Sequence, residues 1–339
     1  MQIITRTIAC TGELLSLPEG DTEVKLHLDR VAFEQIIDEV ASENGIRHDI
    51  LEKDYYVSLL LKELSSLENQ CFAYFKGGTA LYKALRSIRR FSEDVDLTVF
   101  VDDCPTASQA KKRLEKATLK YTSLVRGDVL ENRKGSITCE YLYESMYELD
   151  LADSLQRFGK VKVEATSFTV SEPTTKIEIA PHLYELCSDE RKAILKEYYD
   201  VSPFEIETIS LERIFVDKVF ATQFYFERKL FADVSKHVYD ITIMLQNERI
   251  RAFLQDKEQF KRIVLLKRRE ETFRQGGVDE NLDIKDFPYF HQLQNASEFI
   301  VEFAKMQKIY VFNEKDKIEV DIALESLNLL RAILLETLS

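Results

Sequence analysis

Glycine and proline are scarce, with ten and six residues in 339, and this excludes long structureless linkers. Cysteine is also sparse. The five residues at 10, 71, 104, 139 and 187 form no C-x-x-C pair. An odd, scattered set excludes a disulfide framework and a zinc ribbon, and it predicts reduced thiols in a cytoplasm. The five histidines (27, 48, 182, 237 and 291) are far apart and make no H-E-x-x-H, so the sequence offers no histidine-built metal site. No apolar run reaches the eighteen or so residues a membrane span requires. The N-terminal "MQIITRTIACTGELLSLPEG" lacks the basic start and long apolar stretch of a secretory signal. A soluble cytoplasmic protein with no membrane contact is expected. Positive charge is in deficit, 46 Lys and Arg against 59 Asp and Glu, for a net charge of −13. A globally basic nucleic-acid coat is thereby excluded, and RNA contact would need local basic patches. "RSIRR" (86–90), "KKRLEK" (111–116) and "KRIVLLKRRE" (261–270) are the candidates, although each also reads as a solvated helix face.

Hydrophobic residues make up 45% of the chain, enough for a substantial core, and the length fits two domains or one core with a large appendage. Residues 31–68 have helical periodicity interrupted at Asn44-Gly45, with Asp49 as an N-cap for the second helix. "CFAYFKGG" reads as a buried strand ending in glycines, "TALYKALRSI" as a helix, "DVDLTVFV" as a strand and "SQAKKRLEKATLKYTSLV" as an amphipathic helix. "GSITCEYLYES", "KVKVEATSFTV" and "TTKIEIAPHLYEL" have strand character. From about Ser210 the pattern is helical, over 210–229, 234–247, 249–273, 290–307 and 319–338. The break is expected at "YYDVSPFEIETIS" (198–210), and Gly276-Gly277 with the acidic stretch after it reads as a loop. Helices, then a mixed region, then helices predict an α+β fold. The expected division is a helical segment (1–70) packed on a core (71–200), followed by a helical C-terminal domain (201–339).

Two features in one short stretch point to chemistry. Lys76-Gly77-Gly78-Thr79 lies between a strand and a helix, where glycine lets backbone N–H groups approach phosphate oxygens. It is not a P-loop, since no Gly-x-x-x-x-Gly-Lys-Ser/Thr run exists. By itself a Gly-Gly turn is most often a tight connection. Asp94 and Asp96 follow, two apart on a strand and so on one face. Side by side they repel unless a cation sits between them, and magnesium takes one or two carboxylates plus phosphate oxygens. Either feature alone is common; the order strand, Gly-Gly-Thr, helix, Asp-x-Asp strand is far more specific.

"KGGTAL" followed by "RFSEDVDL" resembles the first motif of the nucleotidyltransferase superfamily typified by DNA polymerase beta, and most closely the AbiEii/AbiGii toxin family of bacterial abortive-infection and toxin–antitoxin systems. "LEKDYYVSLLLKEL" (51–64) looks like the helix preceding that motif. "SKHVYDITIML" (235–245) resembles the family's later Arg-His-Tyr-Tyr-Asp-Leu segment, with Lys236 and Val238 as departures. The resemblance covers roughly residues 35–250. It implies a polymerase-beta-like nucleotidyltransferase core, a mixed sheet with flanking helices. It also implies a third carboxylate on a strand beside the Asp pair. Glu178 in "TKIEIAP", mid-strand between isoleucines, is the expected residue, and Glu164 in "KVKVEAT" is the alternative. Lys218 in "ERIFVDKVFATQFYFER" matches a lysine that contacts nucleotide phosphates, and a snorkelling lysine is its bland reading. Asp240 matches the later acidic position, to orient Lys218, bind substrate or act as base. Lys53 is a minor contributor near the nucleotide; His237 is assigned no chemistry.

The implied reaction is nucleotidyl transfer from a nucleoside triphosphate to RNA, plausibly a tRNA end, by a toxin whose cell needs an antitoxin. Two magnesium ions would sit on Asp94, Asp96 and Glu178. Gly77, Gly78 and Thr79 would cradle the β- and γ-phosphates beside Lys76, and Lys218 would offset charge on the leaving phosphate. Two other classes stay open: a same-fold enzyme modifying a protein or small-molecule hydroxyl, and a non-catalytic interaction protein.

Overall fold

The computed structural model describes residues 25–86, 89–147, 158–168, 171–273, 277–311 and 313–338. Residues 1–24 of the expected N-terminal segment, with Cys10, and Gly276 of the expected loop lie outside these. The chain opens with α1 (Arg30–Asn44) and α2 (His48–Cys71). Gly45, left-handed at φ 65°, ends α1, as the Asn-Gly signal predicts. Asp49 falls inside the first turn of α2 rather than capping it.

Next come β1 (Ala73–Lys76), the short turn α3 (Gly77–Thr79) with a wide π-helical turn over Ala80–Ala84, β2 (Val95–Val99) and α4 (Ala107–Leu119). They are followed by β3 (Val125–Arg133), β4 (Ser136–Leu142), β5 (Lys160–Thr166), β6 (Thr174–Ile179), α5 (His182–Leu186), α6 (Asp189–Tyr198) and β7 (Phe204–Ile209). The rest is helical: α7 (Leu211–Glu227), α8 (Phe231–Met244), α9 (Glu248–Gln255), α10 (Lys257–Phe273), α11 (Tyr289–Gln292), α12 (Ser297–Tyr310) and α13 (Val320–Thr337). The fold is α+β. Among the described residues no helix is long and apolar enough to cross a membrane, and Cys71, Cys104, Cys139 and Cys187 are free thiols.

Seven strands form one mixed sheet in the order β3-β4-β5-β2-β1-β7-β6. β2 runs antiparallel to β1 and parallel to β5. Strand alternation divides the sheet into two unlike faces. Phe75, Val95, Leu97, Val99, Val161, Val163, Ala165, Ile137 and Cys139 are buried on one, where α2 and α4 cover them. The opposite parity carries Lys76, Asp96, Thr98, Lys162, Glu164 and Thr166. β7 sits inside the sheet next to β1, so the stretch 198–210, where the break is expected, carries a strand of the sheet. Its Thr208 hydroxyl donates to the Phe75 carbonyl at 2.7 Å, a buried bond that locks the two strands.

α2 is fastened to the sheet by buried charges in its first turns. Asp54 pairs with Lys83 at 2.6 Å and accepts the His182 backbone N–H at 2.7 Å. Glu52 accepts from the Ser145 hydroxyl and the Met146 N–H. Lys53 donates to the Lys160 carbonyl at the head of β5. Lys53 is thus a tether between helix and sheet, which accounts for its burial.

Candidate active site

The site begins with the register of three strands. Lys76 on β1 lies opposite Asp96 on β2, which lies opposite Glu164 on β5. Period-2 geometry puts their side chains on the same face, with Asp94 and Lys162 one step along it. The Lys162 ammonium holds Asp94 at 2.9 Å, and the Lys76 ammonium donates to the Thr166 hydroxyl at 3.1 Å. Asp96 is the strained member. Burial, with repulsion from Glu164 and Asp94, pushes its carboxyl up to about 6 despite Lys76 and Lys162.

The strand register brings Glu164, the alternative, beside Asp96 and leaves the expected Glu178 elsewhere. Glu178 is exposed on the edge strand β6, opposite Glu205. Two strands, β1 and β7, separate β6 from β2, and three spacings of ~4.8 Å put the gap at about 14 Å. Glu164, the alternative, is the immediate neighbour of Asp96. The signal was present in "KVKVEAT", whose Lys162, Glu164 and Thr166 have the same alternating parity as the Asp pair. Which strand lies beside β2 is a matter of topology, which that pattern does not encode.

The glycines have a local reason. Gly77 has φ 77°, and a Cβ there would lie 2.2 Å from Asp96 Oδ2. A Cβ on Gly78 would lie 2.6 Å from Ser92 Oγ. The glycine pair therefore lets the turn press against the acidic strand. Lys76 and Gly77 line the cleft. Thr79 is fully buried and its hydroxyl donates to Ser92 at 3.0 Å, so it stands behind the turn, away from the cleft.

The opposite wall comes from α7 and α8. The Ser210 hydroxyl accepts the Arg213 N–H and starts α7. Leu211, Ile214, Phe215, Val219 and Phe220 bury that helix and turn Lys218 towards the sheet. Lys218 pairs with Asp240 of α8 at 2.9 Å. Arg90, just ahead of the Asp pair, grips the same carboxylate with two bonds of 2.7 Å. Burial would raise the Asp240 carboxyl, but Arg90 and Lys218 overcome it and hold it down at about 2. A carboxylate so paired is a poor base, and its geometry is that of an orienting group for Lys218.

Between the walls lies a cleft of about 230 Å³, bounded by Lys76, Gly77, Asp96 and Glu164 on one side and Lys218, His237 and Lys267 on the other. Lys267, read from the sequence as part of a basic patch, is buried here and pairs with Glu271 at 2.6 Å. Of the other basic candidates, Arg90 is buried against Asp240, Arg113 pairs with Asp103 at 2.6 Å and Arg89 with Asp316 at 3.1 Å. Lys261, Arg262 and Arg269 on α10 are exposed.

The donor set fits a hard divalent cation. Asp96 and Glu164 are adjacent and repel, Asp94 is one step away, and such a cation needs few protein carboxylates when phosphate supplies more oxygens. Among the described residues no three acidic, histidine or cysteine side chains yet converge on one point, and Lys162 is what engages Asp94.

No curated protein matches the chain. Solved structures that are similar over most of its length include two nucleotidyltransferases. One is a candidate nucleotidyltransferase from H. pylori, 13% identical, with 83% of this chain and 96% of that one covered and a TM-score of 0.40. The other is MenT4, a nucleotidyltransferase toxin from Mycobacterium tuberculosis H37Rv, 16% identical, with 86% and 98% covered and a TM-score of 0.43. A family model described as nucleotidyl transferase AbiEii toxin, type IV toxin–antitoxin system, matches residues 59–326.

Proposed function

The chain belongs to the AbiEii nucleotidyl transferase toxin family of type IV toxin–antitoxin systems, and from that premise we propose that it moves a nucleoside monophosphate from a nucleoside triphosphate to an RNA end, that of a tRNA, with an antitoxin as its cellular counterweight. One observation carries the reading: Asp96 and Glu164, paired on two adjacent parallel strands with Asp94 just ahead of them, face a buried lysine, Lys218, across a cleft. Acids on one wall and a cation on the other match a metal-bound triphosphate.

Magnesium held by Asp94, Asp96 and Glu164 would supply charge neutralisation at the reacting phosphate. The chain's own groups do the positioning. Lys218, aimed by Asp240 and Arg90, offsets charge that builds on the departing pyrophosphate. Lys76 and the Gly77 backbone border the place for the phosphate tail. Lys162 neutralises Asp94, a role that a cation held there would share. Catalysis rests on orientation and electrostatics, since phosphoryl transfer needs no covalent protein intermediate.

Incubating the protein with magnesium and each α-labelled triphosphate, first with total RNA and then with a protein extract, tests this. Label on tRNA-sized bands, lost in Asp94→Ala, is the expected outcome. Label on protein would favour the second acceptor class, which the net charge of −13 makes the natural rival.

A further inference from the structure

His237 lies on the cleft wall next to the charged pair of α7 and α8, yet the groups named so far give it no task. Its ring lines the cleft with Lys218, Asp96 and Glu164. It stacks on Tyr225 with centroids 5.3 Å apart and planes 18° from parallel, which fixes its orientation. Its Nδ1 is shut away from solvent and has no hydrogen-bond partner. Burial and the nearby Lys218 hold the imidazole well below its usual titration range, with Arg90 and Lys236 adding to the effect against the opposing Asp240 carboxylate, so the ring is neutral.

A neutral imidazole has one N–H and one lone pair. A proton on the enclosed Nδ1, which has no acceptor, would be a buried donor left unpaired, the costlier kind of orphan. The proton then sits on Nε2, the ring's other polar atom and the one left to serve the cleft. We infer that His237 is a nucleotide-contact residue whose Nε2–H donates to an oxygen of the triphosphate held by Lys218. This rests on the transferase reading above. The contact is neutral, so it adds direction without further positive charge beside Lys218.

Calorimetric titration of the full chain with magnesium and each of the four nucleoside triphosphates, then with magnesium tripolyphosphate, tests the inference. His237→Phe keeps a stacking ring and removes both nitrogens. It is expected to bind the preferred triphosphate and tripolyphosphate roughly tenfold more weakly, as loss of a hydrogen bond to a charged acceptor predicts. His237→Gln, whose amide reaches the Nε2 position, should recover most of the loss. His237→Asn, whose amide reaches only the Nδ1 position, should not. A structural role alone would lower melting temperature in all three without this split. Equal binding by wild type and His237→Phe overturns the assignment, and so does rescue by Asn in place of Gln. A loss confined to nucleotides and absent for tripolyphosphate overturns the phosphate contact. A wild-type chain that binds no triphosphate overturns the transferase reading along with it.

Discussion

At Asp96 three influences oppose ionisation, burial first and then Glu164 and Asp94, so the carboxyl titrates near 6. Its folded value is above the ordinary 3.8 of the free group. The folded state therefore holds more protons between those two values, and stability falls as pH rises through that window. Asp96→Asn should abolish this fall and stabilise the metal-free chain at pH 7 by up to about 3 kcal/mol. Melting curves at pH 4.5 to 7 decide it, and unchanged pH dependence in the variant refutes the strain. Glu164→Gln should lower transferase activity at least ~100-fold, by analogy with loss of other preorganised charge groups. Glu178→Gln should stay within about twofold, as a solvent-facing change does. The reverse ranking in a labelling assay would restore Glu178. In the sequence each of these two glutamates is mid-strand among β-branched neighbours, and only the strand order separates them. The Asp pair needed no such knowledge, because its geometry is local to one strand.

The elements show which patterns a sequence exposes. β1, β2, β4, β5 and β6 were legible because alternation or an apolar run marks them. β3 was not, because most of its residues are exposed and no apolar face repeats. β7 falls within the stretch where the sequence suggests a break, since "FEIETI" follows Pro203 and precedes a long helix, although Ile206, Thr208 and Ile209 are buried in the sheet. α2 was legible as a helix, but the burial of Glu52, Lys53 and Asp54 was not, since three charges in a first turn suit a solvated helix start equally well. Their burial yields a prediction. Asp54→Ala leaves Lys83 as a buried ammonium without its carboxylate. The cost should be about 3–5 kcal/mol in denaturant unfolding. A loss below about 1 kcal/mol would mean that the pair is solvated.

For the molecule as a whole, the order of helices, mixed region and helices was readable, and so was the acidic balance. The meeting of its two ends was not, because nothing local in Arg90 or Asp240 announces a partner 150 residues away. The cleft lies between walls from those distant parts, so a ligand that bridges them should tighten the whole fold. Magnesium triphosphate at about 100 times its dissociation constant should add ~2.7 kcal/mol to stability. Asp94→Ala should erase the resulting shift in melting temperature, and a shift of equal size in that variant would place the nucleotide elsewhere. The Arg90–Asp240–Lys218 link also has a consequence in time. The carboxylates at 94 and 96 leave the ribosome well before residues 218 and 240 exist. At ~5–20 residues per second, the growing chain spends roughly 6–30 s with an acidic strand and no lysine wall to face it. On the transferase reading, a nascent chain stays inactive until the residues through 240 have been made and folded.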